Sequence, residues 1–316
     1  MKTDSANVHC RKSRVALLSV ASNFMLVVLK LSAGIVMGSV SVISEAIHSA
    51  IDLLAAVIAF LSVRKSAQPA DKDHPFGHGK YENLSGAIEA LLIAVAAVWI
   101  IYEALHKMMK PAPVESIGVG VAIMFVSCAV NLYVSRKLFK IGRETDSVAL
   151  KADGWHLMTD VYTSLGVMLA LAVIMIGHKV APSLNLQWLD PVAALLVAML
   201  IIKAAWDLTH EAVRDLLDTS LSEEEEGWII QKIRAMVPSA KGHHELRTRK
   251  AGATRFIEFH LMVDAVMTVG TAHDLADRIE EVLKDHFAGA EVNIHIEPCD
   301  MNCHKHCREG CFMQPV

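Results

Sequence analysis

A chain of 316 residues that is 53% hydrophobic, with a mean hydropathy of +0.38, is too apolar for an ordinary soluble fold. Yet 20% of its residues are charged, so polar regions must be segregated from apolar ones. The net charge of −4 gives no reason to expect a nucleic-acid partner.

The polar start MKTDSANVHCRKSR (1–14) runs straight into a full-length apolar stretch, without the small-residue cleavage site of a signal peptide. A helix crosses about 30 Å of hydrocarbon with about 20 mostly apolar residues. Six segments meet that length, at 15–38, 41–63, 84–108, 116–138, 155–177 and 190–208. The predicted membrane domain therefore covers 15–210. A closed strand barrel would instead show alternating segments of about ten residues. The connections after spans 1, 3 and 5 hold two basic residues between them, Lys110 and Lys179. The N-terminus and the segments after spans 2 and 4 are far richer, with Arg11, Lys12, Arg14, Arg64, Lys65, Lys72, Lys80, Arg136, Lys137, Lys140 and Arg143 among them. The positive-inside rule then places both termini in the cytoplasm.

The second span reads SVISEAIHSAIDLLAAVIAFLSV and carries His48 and Asp52 four residues apart, on one helix face. The fifth repeats the device in WHLMTDVYTSLG, with His156 and Asp160. Ionisable groups inside a span are expensive and suggest function. A lone membrane histidine can serve helix packing, but two identical pairs amid small residues are hard to explain that way. Two imidazoles and two carboxylates supply the four N/O ligands of a tetrahedral Zn²⁺ site, and they also suit Co²⁺ or Fe²⁺. Histidine must be neutral to ligate, so binding and release are linked to protons, and metal–proton antiport follows as an expectation. Glu89, in the third span, receives no role.

After span 2, QPADKDHPFGHGKYE places Asp71, His74 and His78 close together around Pro75 and Gly77. Spacing alone leaves two readings open, a solvated polar loop or a metal-ligating turn.

Composition shifts from about Ser220, and residues 211–300 read as a small cytosolic α+β domain. LSEEEEGWIIQKIRAMV predicts an acidic helix start and then an amphipathic helix. HHELRTRKAG and TRFIEFHLMVD predict two strands joined at Ala251-Gly252-Ala253. Gly270–His286 has helical spacing, and AEVNIHIEP alternates as a third strand. In the second strand Ile257, Phe259, Leu261 and Val263 take one face and Glu258 and His260 the other. In the third, Val292, Ile294 and Ile296 oppose His295 and Glu297. His244 and His273 stand near enough in sequence to join this ligand set. Eight of the sixteen histidines lie beyond residue 240, which favours metal binding over a chance excess on a polar face.

The tail, 301–316, continues a cysteine run of Cys299, Cys303, Cys307 and Cys311, interleaved with His304 and His306. Such clustering suits a thiophilic ion better than a disulfide framework spread through a fold.

Six spans, paired H-x-x-x-D motifs in spans 2 and 5, D-x-x-H-x-x-x-H after span 2 and a small α+β tail together resemble the cation diffusion facilitators. The resemblance runs from about residue 12 to 300, and FGHGK and HELRTRKAGATRF look close to bacterial ferrous-iron and zinc efflux members. It implies a homodimer in the bacterial inner membrane that exports divalent cations against protons, and no enzyme. It implies a transport site of His48, Asp52, His156 and Asp160 and a loop site of Asp71, His74 and His78. It further implies a binuclear site between paired cytosolic domains, built from His244, His260, His273, His295 and Glu297. Lys80 and Asp218 resemble a charge pair that holds the dimer together near the membrane surface. His48 stands where many bacterial relatives have aspartate, which resembles the zinc-preferring members. Glu297 replaces an aspartate of close relatives, and the cysteine tail lies outside the family pattern.

Zn²⁺ is thus the leading cargo, with Fe²⁺, Co²⁺, Cd²⁺ and Ni²⁺ as alternatives. A membrane-anchored metal sensor is a second reading, disfavoured because an anchor needs no buried charges. An intramembrane metalloprotease lacks its H-E-x-x-H motif, and four protein ligands leave a zinc ion no position for water. A passive channel would favour looser, multi-site binding.

Overall fold

Backbone groups in hydrocarbon must bond within their own segment, which is why apolar runs of this length form helices. A computed structural model describes residues 2–37, 40–109, 118–180, 188–299 and 310–313 of the chain. Six long helices come first: α1 (Lys2–Met37), α2 (Val40–Ser66), α3 (Lys80–Met109), α4 (Gly118–Glu144), α5 (Val148–Val180) and α6 (Leu189–Leu216). The shortest have 27 residues, about 40 Å at 1.5 Å per residue. Among the described residues, four stretches are both long and apolar enough to cross a membrane, in α1, α2, α3 and α6. The helices extend well beyond the apolar cores expected for them. α1 takes in the polar N-terminal residues from Lys2 onward.

The chain divides after Val213 into two compact units. In the first, small side chains let the helices approach closely. Ala16, Val63, Leu138, Ala149, Leu150 and Leu157 form one buried cluster shared by α1, α2, α4 and α5. Ala90, Ile93, Ala97, Ala152, Ile201 and Ala205 form another, between α3, α5 and α6. The outward faces carry large apolar side chains such as Phe24, Leu91, Val95, Trp99 and Trp206, each more than half exposed and suited to lipid.

A polar knot ties α1, α2 and α3 to the residue that precedes α5. Lys12 Nζ donates to Glu82 Oε1 at 2.9 Å, and both side chains are 2% exposed. Ser66 Oγ donates to the same oxygen at 2.7 Å, and Ser147 donates to Glu82 Oε2. Lys12, one of the basic residues used to orient the chain, is therefore an internal strut. Removing one member of such a pair costs roughly 3–5 kcal/mol, because the other charge stays buried.

The second unit is built as expected, from α7 (Glu223–Arg234), β1 (Ala240–Ala251), β2 (Thr254–Asp264), α8 (Val269–His286) and β3 (Glu291–Cys299). Ser222 caps α7: its hydroxyl accepts from Glu225 N at 3.2 Å, and the Glu225 carboxylate accepts from Ser222 N at 3.3 Å. Four glutamates in the first turn and Lys232 and Arg234 in the last complement the helix dipole. The sheet order is β1-β2-β3, with β1 antiparallel and β3 parallel to β2. Ile257, Phe259, Leu261 and Val263 are buried against Ile229 and Ile233 of α7 and Leu275, Ile279 and Leu283 of α8. Glu258 is exposed on the opposite face.

The sequence does not announce a bulge in β1, where His244 and Arg247 face His260 and Glu258 across a register shift. Glu245 sits there at φ +51°. The extra residue keeps both His244 and Arg247 on the polar face while Leu246 packs on the core. The chain's described end returns to this edge: His243 N donates to Gly310 O and Phe312 N to Lys241 O, both at 3.0 Å. A Cβ on Gly310 would lie 1.6 Å from the His243 carbonyl oxygen, so only glycine permits the approach.

Candidate metal sites

The helical period sets His48 beside Asp52 on α2, and packing of α2 on α5 adds the second pair. His48, Asp52 and Asp160 offer ligand atoms that all lie within 4.8 Å of one another. His156 Nε2 is 3.1 Å from Asp52 Oδ1, so the fourth side chain of the expected quartet touches the other three through Asp52. Asp52 and His156 are 4% and 8% exposed, whereas His48 is exposed at the rim. The Nδ1 atom of His156 is buried without a hydrogen-bond partner. An unsatisfied imidazole beside carboxylates is poised to ligate or to exchange a proton.

Two further side chains address this group. Asn131 Nδ2, from α4, donates to Asp160 Oδ2 at 3.2 Å. Its signal in the sequence was a lone amide within the apolar run 116–138. Lys30, from α1, is 5% exposed and donates to Ser49 Oγ at 2.7 Å, next to His48. A lysine inside the first span was the overlooked mark there. Asp153 is buried and accepts from Ser19 Oγ at 3.1 Å. Glu89 is fully buried, and neither of its oxygens has a hydrogen-bond partner among the described residues. It lies within electrostatic reach of Asp153 and His156.

The loop after α2 folds around Asp71. Asp71 Oδ1 accepts from His74 N at 2.7 Å and Asp73 N at 3.0 Å, and its Oδ2 lies 3.3 Å from His78 Nε2. Gly77 takes φ +80°, a conformation glycine adopts freely, and so turns His78 back toward Asp71. The two imidazole rings stand 4.3 Å apart. The His74 backbone N–H holds the Asp71 carboxyl below the usual range; slight desolvation opposes this, and the His74 ring, Asp73 and His78 add to it. His78 is 2% exposed, and neither of its ring nitrogens makes a hydrogen bond. Asp71, His74 and His78 offer ligand atoms that all lie within 4.8 Å of one another. The N/O donor set fits a borderline divalent ion.

In the second unit, strand register gathers the ligand-type residues. His244, His260 and His295 are in line across β1, β2 and β3. Glu297 joins them, with Oε2 2.9 Å from His244 Nε2 and Oε1 3.0 Å from His260 Nδ1 and 3.6 Å from His295 Nε2. His244, His260 and Glu297 offer ligand atoms within 4.8 Å of one another. Burial alone would raise the Glu297 carboxyl; the His244 hydrogen bond and the three imidazoles outweigh it and hold the group below its ordinary range. Glu245, at the bulge, brings a carboxylate oxygen to 3.9 Å from His260 Nε2. His273 is not part of this group within one chain. It stands on the outer face of α8, with Nε2 3.6 Å from Asp277 Oδ2.

Cys299 ends β3, and Cys311 bridges to Gly242 at the edge of β1. Cys303, Cys307, His304 and His306 lie outside the described residues. Asp218, at φ +55°, accepts from Arg249 Nη1 at 3.4 Å, and Lys80 opens α3.

Residues 16–217 match the family of the cation efflux transmembrane domain, and residues 221–299 that of the cation efflux protein cytoplasmic domain. An uncharacterized transporter of Synechocystis sp. is 35% identical over 285 residues, 90% of each chain. The cation-efflux pump FieF of Serratia proteamaculans is 35% identical over 286 residues, 90% of this chain and 92% of that one. Among solved structures, the Zn form of CzrB, a proposed zinc transporter, is 36% identical with a TM-score of 0.24, covering 27% of this chain and 97% of the other.

Proposed function

Because the chain belongs to the cation efflux family, also called the cation diffusion facilitators, and is a membrane transporter of cations, we propose that its cargo is Zn²⁺, exported from the cytoplasm in exchange for protons. The observation that carries this reading is the convergence of His48, Asp52 and Asp160 within 4.8 Å, with His156 on Asp52. Two imidazoles and two carboxylates with no thiolate favour a borderline ion in tetrahedral geometry, and His48 in place of an oxygen donor disfavours manganese. Fe²⁺, Co²⁺, Cd²⁺ and Ni²⁺ share enough of this chemistry to be tested beside it.

The working unit in this reading is a homodimer in the bacterial inner membrane, with both termini in the cytoplasm. The helices bearing the quartet alternate between inward-open and outward-open states. Protons loaded from outside occupy His156 and the carboxylates and leave when cytosolic metal arrives. Asp71, His74 and His78 hold a second ion at the loop, and the orphaned nitrogens of His78 support that assignment. His244, His260, His295 and Glu297, with His273 contributed across the dimer, would hold regulatory ions that draw the cytosolic domains together. Such ions bias the equilibrium only if one state binds them more tightly. Lys80 and Asp218 are proposed to hold the dimer near the membrane surface, and the tail cysteines to capture a thiophilic ion.

The deciding experiment uses purified protein in proteoliposomes, a panel of divalent ions and a pH-sensitive dye. Zn²⁺ should enter fastest and drive proton counterflow. Metal entry without proton counterflow removes antiport, and a different ion ranking removes zinc.

A further inference from the structure

β1 is an edge strand of the sheet, and an edge presents a row of backbone N–H and C=O groups that no neighbouring strand pairs. The end of the same chain takes up part of that row. His243 N donates to Gly310 O and Phe312 N to Lys241 O, both at 3.0 Å, which makes one antiparallel rung centred on Gly242 and Cys311. Facing glycines permit the approach: a Cβ on Gly242 would lie 2.8 Å from the Gly310 carbonyl oxygen, and a Cβ on Gly310 would overlap the His243 carbonyl oxygen. Phe312 anchors the segment. Its side chain packs on the hydrophobic core of the unit, with the Arg234 guanidinium of α7 and the His243 imidazole each 5.4 Å from its ring centroid.

The segment docks where the pairing of β1 with β2 is short. Register shifts interrupt that pairing on both sides, between Ala240 and Gly242 and between His244 and Arg247. Between them Gly242, His243 and His244 stay in step with Met262, Leu261 and His260. His244 ends this run, and it is the β1 member of the cluster with His260 and Glu297. A ladder is disrupted at a bulge and the strand bends there, so a rung on the outer side of β1 steadies a backbone that β2 holds over three residues. A ligand must be held to within about 0.5 Å of its working position. His243, which takes both the backbone bond and the Phe312 ring, is the residue next to that ligand.

We infer that residues 310–312 act as an intramolecular edge strand that positions His244, so that docking of the segment raises the metal affinity of the cluster of His244, His260 and Glu297. The inference rests on the reading of that cluster as a metal site. Gly310 and Phe312 are positioning residues: they act on His244 through His243 and bring no ligand atom of their own. Linkage makes the effect reciprocal, so metal at the cluster should in turn hold the segment on the edge. A segment with a merely structural role would change the stability of the unit and leave metal affinity alone.

Zn²⁺ titration of the full-length protein in nanodiscs by calorimetry reads the affinity, with His260→Ala defining the component that belongs to the cluster. Amide hydrogen exchange at His243 and Phe312 reads docking. Gly310→Ala should speed exchange at both amides and weaken Zn²⁺ binding in that component by about tenfold or more, as loss of a group that orients a ligand does. Phe312→Ala should do the same, and Phe312→Leu, which keeps an apolar anchor, should stay near the parent. In the parent, saturating Zn²⁺ should slow exchange at both amides, and His260→Ala should remove that slowing. Fast exchange in Gly310→Ala or Phe312→Ala with undiminished Zn²⁺ affinity overturns the inference, and so does exchange that neither substitution changes. Absence of slowing in the parent also overturns it, and that arm serves if a variant does not fold. If His260→Ala leaves the titration intact, the metal-site reading of the cluster itself fails, whatever the segment does.

Discussion

Asp160 carries more of the arrangement than its partner in sequence, His156, because it meets His48 and Asp52 from across the helix interface and is oriented by Asn131. Truncating it removes a proposed ligand and the carboxylate that Asn131 Nδ2 donates to, so Asp160→Ala should abolish metal uptake by vesicles while gel filtration still shows the parent's oligomer. Retained uptake would take Asp160 out of the site. Asn131→Ala leaves the ligands in place but frees the carboxylate to rotate. Loss of an outer-shell partner typically weakens metal affinity by about 10–100-fold, and Asn131→Ala should fall in that range by equilibrium titration. At this scale the H-x-x-x-D motifs announced themselves, because a four-residue spacing fixes one face of a helix. Asn131 and Lys30 did not, because a single polar residue in a span says nothing about which neighbour it meets.

Among elements, α7 is the one whose local sequence most fully explains its structure. The capping box of Ser222 and Glu225 satisfies two otherwise open N–H groups, and Ser222→Ala should cost about 1 kcal/mol, read as a lower denaturation midpoint. Glu225 has a second task. Burial by itself would raise its carboxyl, but hydrogen bonds and charge from Arg255, with help from Ser222, outweigh that and depress it. A carboxyl whose folded pKa lies below its unfolded value contributes stability that is present above the ordinary glutamate range, about 4.3, and is lost as pH falls through the folded value. Glu225→Gln should therefore be less stable than the parent at neutral pH, and the gap should close below about pH 4. A gap that stays constant with pH would show that the ion pair contributes nothing. The β1 bulge is the contrasting case. Glu245 belongs to no turn signature, and only pairing with β2 forces the extra residue out and keeps His244 in line with His260.

For the whole molecule, the two units carry distinct metal-type clusters, and stability should report on them together. A ligand that binds only the folded state at a hundred times its Kd adds about 2.7 kcal/mol. Zn²⁺ should raise the melting temperature of the full-length protein, and His260→Ala should remove the part of that rise owed to the cluster around Glu297. Histidines must be neutral to ligate, so the Zn²⁺-dependent rise should shrink as the medium is acidified. An equal rise in the His260→Ala protein would exclude that cluster as a source.

The sequence by itself determined the six long helices, the α+β unit beyond them and the two His-x-x-x-Asp pairs in spans 2 and 5. Each of these rests on a period of 3.6 or 2 residues, or on a composition shift, and such signals are local. The tertiary structure alone decided which faces meet. It set Asp160 against His48, Asn131 against Asp160, Glu297 between three imidazoles, and Lys30 against Ser49. Those contacts join residues up to more than a hundred positions apart, and their distances depend on how whole helices and strands pack. No spacing along the chain encodes that packing.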